Sequence, residues 1–103
     1  MKKLIKFEKD NCPACKQVEM FLMNNRTKAK IINPFENPEL AGKFNISSVP
    51  VTILLNFKDE DLAKDFETSE EALKILLEND LEEITRSIGF KVDELEEMIE
   101  NLK

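Results

Sequence analysis

Cys12-Pro13-Ala14-Cys15, set close behind the strand-like stretch Leu4 to Glu8, constrains what this chain can fold into more than any other feature. Ile5 and Phe7 alternate with charged neighbours there, which is the period of a β-strand, though with more charge than a strand covered on both faces carries. Proline at the first helical position has its backbone angle preset and gives up only a donor that would be unpaired anyway. A helix is therefore predicted from Cys12 to about Met23, with Ala14, Val18, Phe21 and Leu22 on one face and Asn24-Asn25 as its stop. The two thiols then lie one turn apart at its N-terminus.

A sulfur in that position accepts backbone N–H groups and feels the positive end of the helix dipole, so its thiolate is stabilised. Such a thiolate attacks a disulfide in another molecule, and the second sulfur releases that molecule by closing the internal disulfide. On this reading Cys12 is the nucleophile and Cys15 the resolving thiol. The competing use of a Cys-x-x-Cys pair is half of a zinc shell. With two cysteines and no histidine the chain cannot complete that shell by itself, and Cys-His and Ser-His nucleophile pairs and haem attachment fall away with it. A four-thiolate site shared between two chains is the alternative that the residues leave open. Met20, Met23 and Met98 read as helix packing or surface, and no metal is assigned.

The remaining elements follow from patterning. Lys28 to Asn33 is a short second strand, and Pro38 opens a short helix through Leu40, Ala41 and Phe44. Val49-Pro50-Val51-Thr52-Ile53-Leu54-Leu55 is apolar on both faces and rich in β-branched residues, which predicts a central, buried strand. Lys58 to Leu81 is longer than a hairpin connection needs. Thr68 with Glu71 reads as a capping box, and Leu73, Leu76 and Leu77 as an apolar stripe, so one inserted helix is predicted over Ser69 to Asn79. Glu83 to Ile88, ending at Gly89-Phe90, is the last strand. Val92, Leu95, Ile99 and Leu102 share one face of a closing helix over Asp93 to Leu102, whose glutamates are a solvated surface. The 103 residues make one domain, 1–103, in which 58–81 is a helical insertion.

A net charge of −6 with no basic stripe argues against nucleic acid as a partner. Charges interrupt the first residues where a signal peptide needs an apolar run, and no stretch is long enough to cross a bilayer, so no membrane is assigned. The chain is read as a cytoplasmic monomer.

The stretch from Asn37-Pro38 through Ser48-Val49-Pro50-Val51 resembles the segment of the thioredoxin family that leads into its cis-proline, and Cys12-Pro13-Ala14-Cys15 stands where that family has its active-site motif. Ile88-Gly89-Phe90 followed by Asp93-Glu94-Leu95 is similar to the family's last strand and closing helix. The resemblance covers most of the chain outside 58–81. It implies a thioredoxin-like three-layer α/β/α fold, a minimal β-α-β-α-β-β-α core with a four-stranded mixed sheet as in glutaredoxins. It also implies a cis Val49–Pro50 bond facing Cys12 and Cys15, a Val49 backbone that pairs with an extended substrate segment, and Gly89 lining the same groove.

Three departures accompany the likeness. The strand and helix that precede the active-site strand in full thioredoxins are absent. Lys6 stands where thioredoxins carry a buried acid that assists the resolving cysteine; Lys6 and Glu8 share a strand face and can pair, and resolution by Cys15 is expected to be slow. Asn11 replaces the usual tryptophan, and Pro13-Ala14 is neither thioredoxin's Gly-Pro nor glutaredoxin's Pro-Tyr, so Asn11, Pro13 and Ala14 are taken with Val49, Pro50 and Gly89 as substrate-contacting positions. The resemblance implies a thiol–disulfide oxidoreductase that reduces protein disulfides. The Cys12–Cys15 pair would be its only redox group, recharged by an upstream reductase or by glutathione. A glutathione- or iron–sulfur-binding protein and a non-catalytic interaction module are the alternatives.

Overall fold

The computed structural model describes residues 1–102. In chain order the elements are β1 (Lys2–Phe7), α1 (Pro13–Asn24), β2 (Lys30–Ile32), α2 (Pro38–Lys43), β3 (Val51–Asn56), α3 (Glu60–Thr68), α4 (Ala72–Glu78), β4 (Glu82–Ile88) and α5 (Val92–Leu102). The strands form a four-stranded mixed sheet in the order β2-β1-β3-β4. β1 pairs parallel with β2 across the α1 crossover and antiparallel with β3, from Lys2↔Asn56 to Phe7↔Val51. β4 pairs antiparallel with β3, with a register shift at Leu54/Leu55.

Alternation along the two central strands divides the core. Ile5, Phe7, Val51, Ile53 and Leu55 pack with Leu40 and Phe44, Ala63 and Phe66, and Leu76, so α2, α3 and α4 cover that side of the sheet. Leu4 and Leu54 pack with Val18 and Leu22 and with Leu95, Met98 and Ile99, so α1 and α5 cover the other. The result is a three-layer α/β/α arrangement in which β1 and β3 are buried on both faces. Each such aliphatic or aromatic side chain contributes about 1.5–3 kcal/mol.

The two helices that flank the cysteine and proline loops end in the same way. After α1, Arg26 takes φ 53°, Arg26 N–H donates to Met23 O (3.0 Å) and Thr27 N–H to Leu22 O (2.9 Å). After α2, Asn45 takes φ 55°, Asn45 N–H donates to Gly42 O (3.2 Å) and Ile46 N–H to Ala41 O (2.8 Å). Both satisfy the last carbonyls with a left-handed residue, the Schellman arrangement, without glycine.

The insertion differs from expectation. It holds two helices rather than one over Ser69 to Asn79: α4 is shorter than predicted, and α3 precedes it in a charge-rich stretch to which no helix was assigned. Asp59 explains α3, because its carboxylate accepts from the N–H groups of Asp61 (2.9 Å) and Leu62 (3.3 Å), and Ala63 and Phe66 supply the buried face. The Thr68–Glu71 capping box does not form. Thr68 is the last residue of α3 and its hydroxyl donates to Lys64 O (2.9 Å), while Ser69 Oγ accepts the Glu71 N–H (2.9 Å).

Three contacts fasten this pair of helices to the rest. Lys43 Nζ, from the last residue of α2, donates to Leu76 O (2.5 Å), Leu77 O (3.2 Å) and Asn79 O (2.6 Å), so one ammonium gathers the carbonyls at the C-terminus of α4. Lys3 of β1 meets Glu67 of α3 at 2.6 Å, and Lys30 Nζ lies 5.8 Å from the Phe66 ring centroid. Lys43→Met should lower stability by about 1–2 kcal/mol, read as a fall in the urea midpoint at unchanged slope.

The hydrogen bond from Lys3, and its charge, hold the Glu67 carboxyl below the ordinary glutamate range. A carboxylate whose pKa is lower folded than unfolded stabilises the protein above its unfolded pKa, and that contribution is lost as pH falls through the folded value. Acid titration of stability should therefore show a small loss in this window, and Lys3→Met should remove it; an unchanged acid profile in Lys3→Met would contradict the assignment.

Candidate active site

β1 delivers the chain to the first cysteine, and the turn into α1 is made by Asn11 in the left-handed region, φ 55°. Asparagine tolerates that conformation better than most residues, so Asn11 has a backbone duty that the sequence reading did not assign to it. Cys12 is the N-cap of α1, Pro13 its first residue, and the Cys15 N–H donates to Cys12 Sγ at 3.1 Å. Cys12 and Cys15 are joined as a disulfide with Cα atoms 5.2 Å apart. Cys12 is half-buried and Cys15 is buried at 3 % exposure, which makes the first sulfur the accessible one.

A shallow groove of about 460 Å³ runs past the pair, lined by Glu8, Asn11, Cys12, Pro13 and Cys15 together with charged residues on either side. Ala14 does not line it. Val49 lines a second groove of about 390 Å³ with Pro34, Phe35, Ile46 and Ser48; Lys9 contributes to both. The Val49–Pro50 peptide bond is cis. Gly89, at φ 83°, donates its N–H to Pro50 O at 2.8 Å, one step beyond the Val51↔Ile88 pair, so it continues the β3–β4 ladder around the proline. Thus Asn11, Cys12, Pro13 and Cys15 share one groove, Val49 lies in the neighbouring one, and Pro50 and Gly89 are tied to each other.

Two residues of this region were not among the predicted site residues. Phe35 is 74 % exposed on the 33–37 loop, where the Asn33 side chain accepts the Phe35 N–H at 2.9 Å. Nothing in the local pattern around Pro34 marks it as outward. Lys6 is the other: it is buried at 1 % exposure, with its Nζ 2.6 Å from Glu8 Oε1. That contact is a close ion pair between a buried ammonium and a half-buried carboxylate. The alternation of β1 puts both residues on one face and was the available signal.

No family model matches the sequence. The chain is 32% identical over 101 residues to the thioredoxin-like protein YosR, derived from the SPbeta prophage of Bacillus subtilis strain 168, covering 98% of this chain and 99% of that one. The chain belongs to the thioredoxin-like family. Solved thioredoxins share its fold: that of Plasmodium falciparum at TM-score 0.65 and 15% identity, covering 98% of this chain and 70% of that one. The thioredoxin of Nicotiana alata superposes at TM-score 0.62 and 20% identity, covering 99% and 73%. A thioredoxin-like fold with its cysteine pair oxidised at the N-terminus of α1 supports a thiol–disulfide oxidoreductase kind of function.

Gly89 generates a prediction within this thioredoxin-like frame. A β-carbon there would meet nothing within 4 Å, so only the positive φ opposes a side chain. Gly89→Ala should lose about 1–2 kcal/mol of stability from the left-handed backbone alone, measured by urea unfolding.

Proposed function

We propose that the protein is a disulfide reductase in which Cys12 attacks a protein disulfide and Cys15 resolves the mixed disulfide. The observation that carries this reading is the asymmetry of the pair: Cys12 is reachable and caps a twelve-residue helix, while Cys15 is buried behind it and lends its N–H to the Cys12 sulfur. In the reduced state the same N–H and the helix dipole favour a Cys12 thiolate. The exposed nucleophile and the buried resolver take roles that follow from access.

The neighbouring positions supply the substrate surface in this reading. Asn11, Pro13 and Ala14 flank the attacking sulfur. Val49 offers backbone to an extended segment by strand addition, beside Pro50 and Gly89. The substrates are protein disulfides, the electrons come from an upstream reductase or glutathione, and no resident cofactor is needed because the dithiol carries both electrons. The protein acts as a cytoplasmic monomer. Among the described residues no helix is long and apolar enough to cross a membrane.

Redox titration of the pair in glutathione or dithiothreitol buffers, read by the mass shift on alkylation, tests this. A reversible two-electron couple near about −270 mV is expected, whereas one near about −120 to −180 mV belongs to an oxidant or isomerase. Cys15→Ser should still attack a protein disulfide and stay trapped on it, and Cys12→Ser should not react. Absence of a reversible disulfide would remove the enzymatic reading.

A further inference from the structure

The buried polar side chains of the described core are Lys6, Thr52 and Ser87, and they are neighbours across three strands: Lys6 registers with Thr52, and Thr52 with Ser87. They lie on the face of Leu4 and Leu54, one alternate step along β1 toward the dithiol. Leu4 and Leu54 pack on Val18 and Leu22 of α1, and Cys15 is one helical turn before Val18. The row therefore lies on the α1 side of the sheet, toward the end of β1 that leads to the dithiol. A carboxylate closes it at each end, Glu8 beside Lys6 at 2.6 Å and Glu94 accepting from Ser87 Oγ at 2.8 Å. The Thr52 hydroxyl in the middle is buried with no hydrogen-bond partner among the described residues.

Resolution of a mixed disulfide requires the Cys15 thiol to lose its proton, and burial opposes a free thiolate. A base close by would speed that step. Glu8 lines the same groove as Cys12 and Cys15, and its Oε1 is buried against the Lys6 ammonium. The other charged groups of that groove are Lys9, Asp10, Lys16 and Glu19. Of the two carboxylates among them, Asp10 is exposed, and Glu19 is 41% exposed and paired with Lys16 at 3.4 Å. Glu8 alone is held in one place by a buried partner.

We infer that Glu8, positioned by Lys6, takes the proton of Cys15 during resolution. This rests on the dithiol reading given under Proposed function. The Cys15 proton passes to the Glu8 carboxylate, directly or across one water. The Cys15 electron pair forms the bond to Cys12 Sγ, and the bond from Cys12 to the substrate sulfur breaks with its pair going to the substrate as thiolate. Glu8 then returns the proton to that thiolate. The Cys12–Cys15 pair is oxidised, the substrate disulfide is reduced, and no further reactant enters. Lys6, by this account, does not remove the base from the site but brings it in from two residues along the strand.

Reduced protein mixed with 5,5′-dithiobis(2-nitrobenzoate) in a stopped-flow instrument separates the steps, since Cys12 attack releases one coloured thiolate and Cys15 attack releases the second. In Glu8→Gln the second release should slow relative to the first by roughly tenfold or more at neutral pH, a deficit that closes in alkali, where the thiol ionises unaided. Glu8→Asp should recover part of the rate, and Lys6→Met should fall between Glu8→Gln and wild type. A second release in Glu8→Gln that follows wild type across the pH range overturns the inference. Should Glu8→Gln fail to fold by circular dichroism, the wild-type profile decides. A second release that rises at lower pH than ordinary thiol ionisation supports the base, and one that tracks thiol ionisation overturns it. If wild type releases only one thiolate, the dithiol reading itself fails, an outcome distinct from a wild-type second release that Glu8→Gln leaves unchanged.

Discussion

The structure depends on the antiparallel pairing of β1 with β3. These two strands have apolar side chains on both faces, with Ile5, Phe7, Ile53, Leu54 and Leu55 all at 0 % exposure, so neither can be withdrawn without opening the core on both sides of the sheet. Their shared end also sets the chemistry. Phe7 registers with Val51, which places the chain leaving β1 toward Cys12 and the chain entering β3 from Pro50 at the same end of the sheet. The dithiol turn and the proline loop are brought to one end of the sheet because the strands that carry them are bonded to each other.

That same burial explains which parts were legible. β3 could be read because its apolar, β-branched run permits no exposed face, and α5 because Leu95 and Ile99 repeat at helical spacing against glutamates. Pro13 announced the start of α1. The last strand was read from its pattern up to Gly89-Phe90, whereas the cis bond at Val49–Pro50 came only through the family likeness and was not legible from composition. α3 escaped because Glu60, Asp61, Lys64, Asp65 and Glu67 outnumber its buried Ala63 and Phe66, and its start is set by one Asp59 side chain. The Thr68 and Glu71 spacing fits a capping box in sequence, yet Thr68 was already committed to the end of the helix before it.

The polar row was legible only in part. Strand alternation puts Lys6 and Glu8 together, but that Thr52 and Ser87 extend the line depends on register, which pairs residues 46 and 35 positions apart in sequence. Phe35 shows the converse. It is an aromatic residue that the core does not use, on a loop fixed by Asn33, and single exposed apolar residues are ordinary on protein surfaces.

The Lys43 ammonium has a consequence for how the molecule opens. It ties the last carbonyls of α4 to the end of α2, and α2 leads through Asn45 and Ile46 directly into Ser48-Val49-Pro50. Local unfolding proceeds in contiguous cooperative units. With that tie in place the end of the insertion and the approach to the proline loop belong to one such unit, so the 72–79 segment cannot fray as an independent surface appendage while the loop beside the dithiol stays closed.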